Sequence, residues 1–203
     1  MKSIFLTISG IVILSLSFFA LNKMTEMKQM IKVLSSSNVK VQRQVDFLNL
    51  NFELNNNISG KTTPDILCKT LGNEEHYLSE FVSKKSILIC RYTSSYCSSC
   101  SGNLFPELTE LHNMFADHSH EVVVFAANHR IRELYLFIRR YEVECPVYSI
   151  DDTYFNWHDE RINGPYCFVL HPDMRISNVF VLDKAFPELN KQYLEGIKRL
   201  LSE

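Results

Sequence analysis

The stretch ILICRYTSSYCSSCSGNLFPEL, Ile87 to Leu108, decides how this chain is read. It opens on the apolar run Ile87–Cys90, the pattern of a buried strand. It closes where apolar residues begin to recur at helical spacing, through LFPELTELHNMFADH. Between them lie Cys97 and Cys100, three apart with only serines between. A thiol just after a strand and just before a helix faces unpaired N–H groups and the positive end of the helix dipole. Both favour the thiolate. The thiolate attacks a disulfide, and a second thiol one helical turn on can resolve the mixed disulfide. Cys97 is therefore the expected attacking thiol and Cys100 the resolving one. Two other readings of the spacing are weaker. Zinc would need a second ligand pair, but the chain has no other C-x-x-C, and His112, His118 and His120 have no matching spacing. Chance is a poor account of two cysteines at a strand-to-helix turn.

Working outward, strand and helix signals alternate. EVVVFAA (121–127) is a β-branched strand and IRELYLFIRRYE (131–142) an amphipathic helix. PVYSI (146–150), YCFVL (166–170) and ISNVFVL (176–182) are strands, the last two joined by the turn HPDMR. ELNKQYLEGIKRLLSE closes the chain as a helix. The order predicts an α/β domain over 59–203, a central mixed β-sheet flanked by helices. The polar stretch NNNISGKTTP (55–64), with Gly60 and Pro64, reads as a linker before it.

The order ILICRYTSSYCSSC…EVVVFAA…NGPYCFVLHPD resembles the thioredoxin superfamily, most of all its membrane-anchored, exported TlpA-like thiol–disulfide oxidoreductases. The resemblance covers about residues 62–203. The lead-in TTPDILCKTLGNEEHYLSEFVSKKSILIC looks like that branch's extra N-terminal hairpin followed by an LSEF element. The resemblance implies a thioredoxin-like fold and an enzyme that reduces client protein disulfides in the cell envelope through Cys97 and Cys100. It implies no cofactor beyond that redox-active disulfide and no metal. Its partners would be a client protein with a disulfide or thiols and a membrane electron-donor protein. It further implies a cis-proline at Pro165, exposing the backbone of Gly164 so that an extended substrate segment can pair there as a strand.

Three positions depart from the family pattern. Tyr96 stands where a Trp is typical, keeping an aromatic ring beside the first sulfur and in reach of substrate. Pro106 follows Cys100 by six residues rather than the usual five. Arg91, six residues before Cys97, occupies the place of thioredoxin's buried Asp. An Arg cannot accept a proton at neutral pH, and beside the pair its charge would lower a thiol pKa. Two other functions fit the same fold. Peroxide reductases of this kind usually keep a Pro and a Thr three residues before the attacking Cys; that position is Ser94 here, without the proline. A non-catalytic adaptor or sensor would use the pair structurally.

The rest of the chain bounds these readings. With 203 residues, one domain plus extras is expected, and 46% hydrophobic content supports a core. A net charge of -2 argues against a nucleic-acid partner. Six cysteines are too few for a disulfide scaffold in a chain this long. Cys90 and Cys167 fall in predicted strands as small buried hydrophobes, while Cys68 and Cys145 could pair or stay free. His129 and Arg130 follow a strand at the sheet end where ligands approach, and Trp157 lies in a polar, aromatic segment leading to Pro165.

Residues 4–21 carry no charge and are long enough to cross a bilayer. Phe18 and Phe19 stand where a cleavage site would need small residues. Residues 1–22 are thus expected as a transmembrane signal anchor holding an extracytoplasmic domain, although Lys23, Lys28 and Lys32 argue for the opposite orientation. Residues 23–58 are expected as a helical stalk. Met24, Ile31, Val45 and Phe52 fall on one position of a seven-residue repeat, with Asn38 in the remaining slot. Met27, Leu34, Val41 and Leu48 fall on another. That is the pattern of a short parallel coiled coil, hence of a homodimer through the stalk; the competing reading is a helix folded back on its own domain.

Overall fold

A computed structural model describes residues 2–82, 85–93, 104–115, 122–127, 131–155, 157, 161–162 and 164–202. The side chains of residues 2–18, 20, 104, 131 and 202 fall outside that description. The chain divides into two units, Met1–Leu48 and Asn49–Glu203.

Helix α1 runs without a break from Lys2 to Ile58. Residues 22–56 contain neither proline nor glycine, so nothing in them interrupts the hydrogen-bond ladder. The helix stops at Gly60, whose φ of 84° is the left-handed cap conformation that glycine takes without strain. Residues 1–22, expected to cross a membrane, are helical from Lys2, but most of their side chains lie outside the described residues. Among the described residues no helix is long and apolar enough to cross a membrane.

The second unit is built on a seven-stranded mixed sheet. Strands β1 (Leu67–Lys69) and β2 (Glu75–Tyr77) form the hairpin implied by the family resemblance, and α2 (Leu78–Val82) is its LSEF element. Then follow β3 (Ile87–Thr93), α3 (Leu104–Met114), β4 (Val122–Ala127), α4 (Ile131–Tyr141), β5 (Val147–Ile150), β6 (Tyr166–Leu170), β7 (Ile176–Val181) and α5 (Pro187–Ser202). The strand order is β2-β1-β5-β4-β3-β6-β7. β3, β4 and β5 are mutually parallel, β6 runs antiparallel to β3, and β7 runs antiparallel to β6.

β3 lies between β4 and β6, and every one of its residues is buried. Its side chains alternate between two covered faces. Leu88, Cys90 and Tyr92 join a core with Phe105 and Leu108 of α3, Phe137 of α4 and Ile197 of α5. The opposite face carries Arg91 above a cluster that includes Phe125, Phe155 and Phe168. A strand covered on both sides is why the sequence reads there as a near-continuous apolar run.

The stretch 55–64, expected as a linker, is instead part of the folded unit. Gly60 N–H donates to the Ile176 carbonyl at 2.8 Å, and Ile176 N–H donates to the Lys61 carbonyl at 2.9 Å. Thr62 bridges Arg175. The last turns of α1 do similar work: Asn51 Oδ1 accepts from Val181 N–H at 2.6 Å and Asn55 Oδ1 from Val179 N–H at 3.0 Å. β7 is the last strand of the sheet, so these side chains satisfy edge groups that would otherwise be free to recruit another strand. Polar composition suggested a solvated linker, but the polar groups are there to bond an edge.

Candidate active site

The carboxyl ends of parallel strands are where α/β sheets gather their sites. β3 ends at the buried Thr93, and α3 is described from Leu104. Tyr96, Cys97 and Cys100 lie between them, in residues 94–103, outside the described residues; His129 and Arg130, after β4, are likewise outside. Pro106 is the third described residue of α3.

Gly164 and Pro165 sit beside the same end of β3. Arg91 is the Cα partner of Tyr166 in the β3–β6 ladder. Continuing that register sets Pro165 against Tyr92 and Gly164 against Thr93. Leu182 N–H donates to the Pro165 carbonyl at 2.8 Å. A Cβ on Gly164 would lie 2.5 Å from the Leu182 carbonyl oxygen, so only glycine allows this approach. The expected cis bond is not found. No peptide bond among the described residues is cis, and Gly164–Pro165 is trans, the isomer an X–Pro bond ordinarily prefers.

Arg91 is 3% exposed, and its guanidinium is bonded to segment 151–155. Its Nε donates to the Tyr154 carbonyl at 3.1 Å. Its Nη2 donates to the Asp152 carbonyl at 3.0 Å and to Asp152 Oδ1 at 2.9 Å. The guanidinium also lies 5.6 Å from the centre of the Tyr166 ring, within cation–π range. Arg91 thus ties segment 151–155 to the centre of the sheet, and Asp152 matches its charge. The Tyr166 hydroxyl reinforces the link by donating to the Phe155 carbonyl. Phe155 holds φ at 55°, a conformation an aromatic residue keeps only when its surroundings fix it. Trp157 packs on Tyr166 and Phe168, with ring centres 4.7 Å and 5.3 Å apart, as a packing residue of this face. The signal for this anchor was present in the sequence: a charge inside an apolar strand must find a partner. Nothing local in the sequence singles out Asp152 as that partner.

The four described cysteines are free thiols, so Cys68 and Cys145 do not pair. Cys90 and Cys167 face each other across β3 and β6. Their mutual hydrogen bond and full burial push the Cys90 thiol well up. Loss of water around the ring, then the nearby Cys167 and Cys90 thiols, push the phenol of half-buried Tyr193 up. Cys68 and Cys145 are pushed from 9.0 up to about 12, chiefly by burial. Such thiols hold their protons and are poor nucleophiles.

The sign of the pH effect follows from those shifts. Above pH 9 the unfolded chain releases protons that the folded chain keeps, so stability falls as pH rises toward 12. Near pH 10 each thiol should steepen that fall by about 1 kcal/mol per pH unit. Denaturation of wild type and of Cys68→Ala and Cys145→Ala across pH 8–11 checks this. Each variant should lose stability more slowly with pH; parallel curves would contradict it.

A mixed sheet in this strand order, with helices packed on it, defines the thioredoxin-like class of α/β folds. Solved structures bear this out. A candidate protein disulfide isomerase from Bacteroides thetaiotaomicron matches with a TM-score of 0.55 at 16% identity, over 71% of this chain and 91% of its own. A thiol:disulfide interchange protein from a Bacteroides species matches with a TM-score of 0.51 at 16% identity, over 68% and 90%. The thioredoxin domain of a thiol-disulfide oxidoreductase from Bacteroides vulgatus matches with a TM-score of 0.50 at 14% identity, over 67% and 97%. No protein-family model matches the sequence, and no curated protein matches it. The chain has a thioredoxin-like fold.

Proposed function

We propose that the chain is a thiol–disulfide oxidoreductase that works through Cys97 and Cys100. The observation that carries the reading is chain order on this fold: the C-x-x-C falls between the end of the buried central strand β3 and helix α3. In this reading the Cys97 thiolate attacks one sulfur of a client disulfide. The client S–S bond breaks, and the released client sulfur takes up a proton. Cys100 then attacks the Cys97 sulfur, releasing the second client thiol and closing Cys97–Cys100 as a disulfide. A membrane-bound dithiol donor returns the pair to the reduced state. Tyr96, Gly164 and Pro165 are the client-contacting positions, supported by the level of Gly164 and Pro165 beside the end of β3. In this reading residues 1–22, with the uncharged run 4–21, anchor the domain in a membrane, with the domain outside the cytoplasm, where client disulfides persist.

Buried thiols elsewhere would not compete, since Cys68, Cys90 and Cys145 are all held protonated. The test is trapping. Cys100→Ser should accumulate mixed disulfides with client proteins, and Cys97→Ser should form none and lose at least about a hundredfold in disulfide reduction. A Cys97 thiol that titrates near the ordinary value of about 8.5, together with no trapped species, would overturn the proposal.

A further inference from the structure

The described side chains of α1 leave an apolar stripe uncovered. Ile31, Leu34 and Val41 are each more than half exposed, and Met24, Val45 and Leu48 nearly so. These are the heptad positions of the sequence, now on one unbroken helix. Within the second unit the sheet domain buries Leu50 and Leu54, on outer positions of the repeat, and bonds β7 through Asn51, which flanks the seam, and Asn55, the next seam position after Leu48, while Phe52 stays 67% exposed. The seam therefore stays open as far as Phe52, and the domain takes up the next seam position, Asn55.

We propose that this seam is closed by a second copy of the chain, as a parallel two-stranded coiled coil over residues 24–52. Three features select that occupant. The first is charge placement. Lys28 is the one charge on a flanking position between 24 and 52; from residue 30 on, Lys32, Lys40, Arg43, Asp46 and Glu53 fall on outer positions of the repeat, whereas the positions flanking the seam hold Met30, Ser35, Ser37, Gln42, Gln44, Asn49 and Asn51. Two like chains can then meet side by side without opposing charges over this stretch. The second is Asn38, which a parallel pairing sets opposite its own copy, where two amides hydrogen-bond and fix register. The third is area. Eight apolar seam residues per chain, at roughly 80 Å² each, give about 1,300 Å² in total, above the roughly 1,000 Å² a specific interface needs. Parallel pairing also keeps the uncharged run 4–21 of both chains at one end, whereas antiparallel pairing would set it against the partner's folded domain.

The inference does not depend on the redox reading, and its test removes the reactive pair. In full-length chain carrying Cys97→Ser and Cys100→Ser, a single thiol is introduced as Leu34→Cys on the seam or Ser36→Cys on the outer side. Leu34→Cys should yield at least ten times more covalent dimer on mild oxidation. Parallel pairing places residue 34 beside its own copy; antiparallel pairing about Asn38 does not. Sedimentation in detergent should give twice the monomer mass, and Ile31→Asp with Leu34→Asp should halve it. Equal cross-linking at the two sites, or a monomer mass for the unmodified chain, would overturn the proposal.

Discussion

Arg91→Ala is expected to lower the free energy of unfolding by about 3 kcal/mol. The guanidinium makes three hydrogen bonds, to two carbonyls and one carboxylate, from a side chain that is 3% exposed. Truncation removes all three and leaves a cavity against Tyr166. The effect stops short of the larger values known for buried pairs because Asp152 is 48% exposed and can return to water. Arg91→Lys should fall between, since an ammonium keeps the charge but lacks the planar fork that reaches both carbonyls. Asp152→Asn should cost less than 1 kcal/mol, because the two carbonyl bonds survive. Denaturant midpoints of the four proteins test the ranking, and an Arg91→Ala loss below 1 kcal/mol would contradict it. The loss should also loosen segment 151–155, read as faster amide exchange at Thr153, whose N–H is bonded within the segment.

Gly164→Ala is the second large effect, at about 2–3 kcal/mol. One added methyl would stand 2.5 Å from the Leu182 carbonyl oxygen. That oxygen belongs to backbone and cannot rotate away as a flexible side chain would. Relief requires β6 to part from Leu182, which strains the 2.8 Å bond from Leu182 N–H to the Pro165 carbonyl. Because the same two residues lie at the level where β3 ends, disulfide reduction should fall with stability, and should fall further than it does in Asp152→Asn. Retained stability within 0.5 kcal/mol of wild type, a smaller loss than this overpacking permits, would show that the strand end can yield.

The strands and helices of the domain could be read from periodicity because their faces are uniformly buried. β4 and β6 are covered on both sides and appear as unbroken apolar runs. α4 buries Leu134 and Phe137 at helical spacing, with Tyr135 and Leu136 between them facing solvent. The candidate pair could be read because its spacing and its place between a strand and a helix are both local. Arg91 was legible as an anomaly and not as an anchor. Its partners lie some sixty residues away, and no local rule selects among the acids that could pair with it. The polar stretch 55–64 misled for a related reason. Asn and Gly look alike in a solvated linker and in a strap that satisfies an edge strand, and only the position of β7 separates the two.

Sequence alone determined the α/β layering, the thiol pair and its chain neighbours, and the heptad register of α1, because each is a relation among residues close in the chain. Tertiary structure decided the trans bond at Pro165, the commitment of Arg91 to segment 151–155, the free state of Cys68 and Cys145, and the side of α1 left open. Each of these depends on which groups share a small volume after folding. Burial and hydrogen-bond satisfaction act on that volume, and it joins segments that the chain keeps far apart.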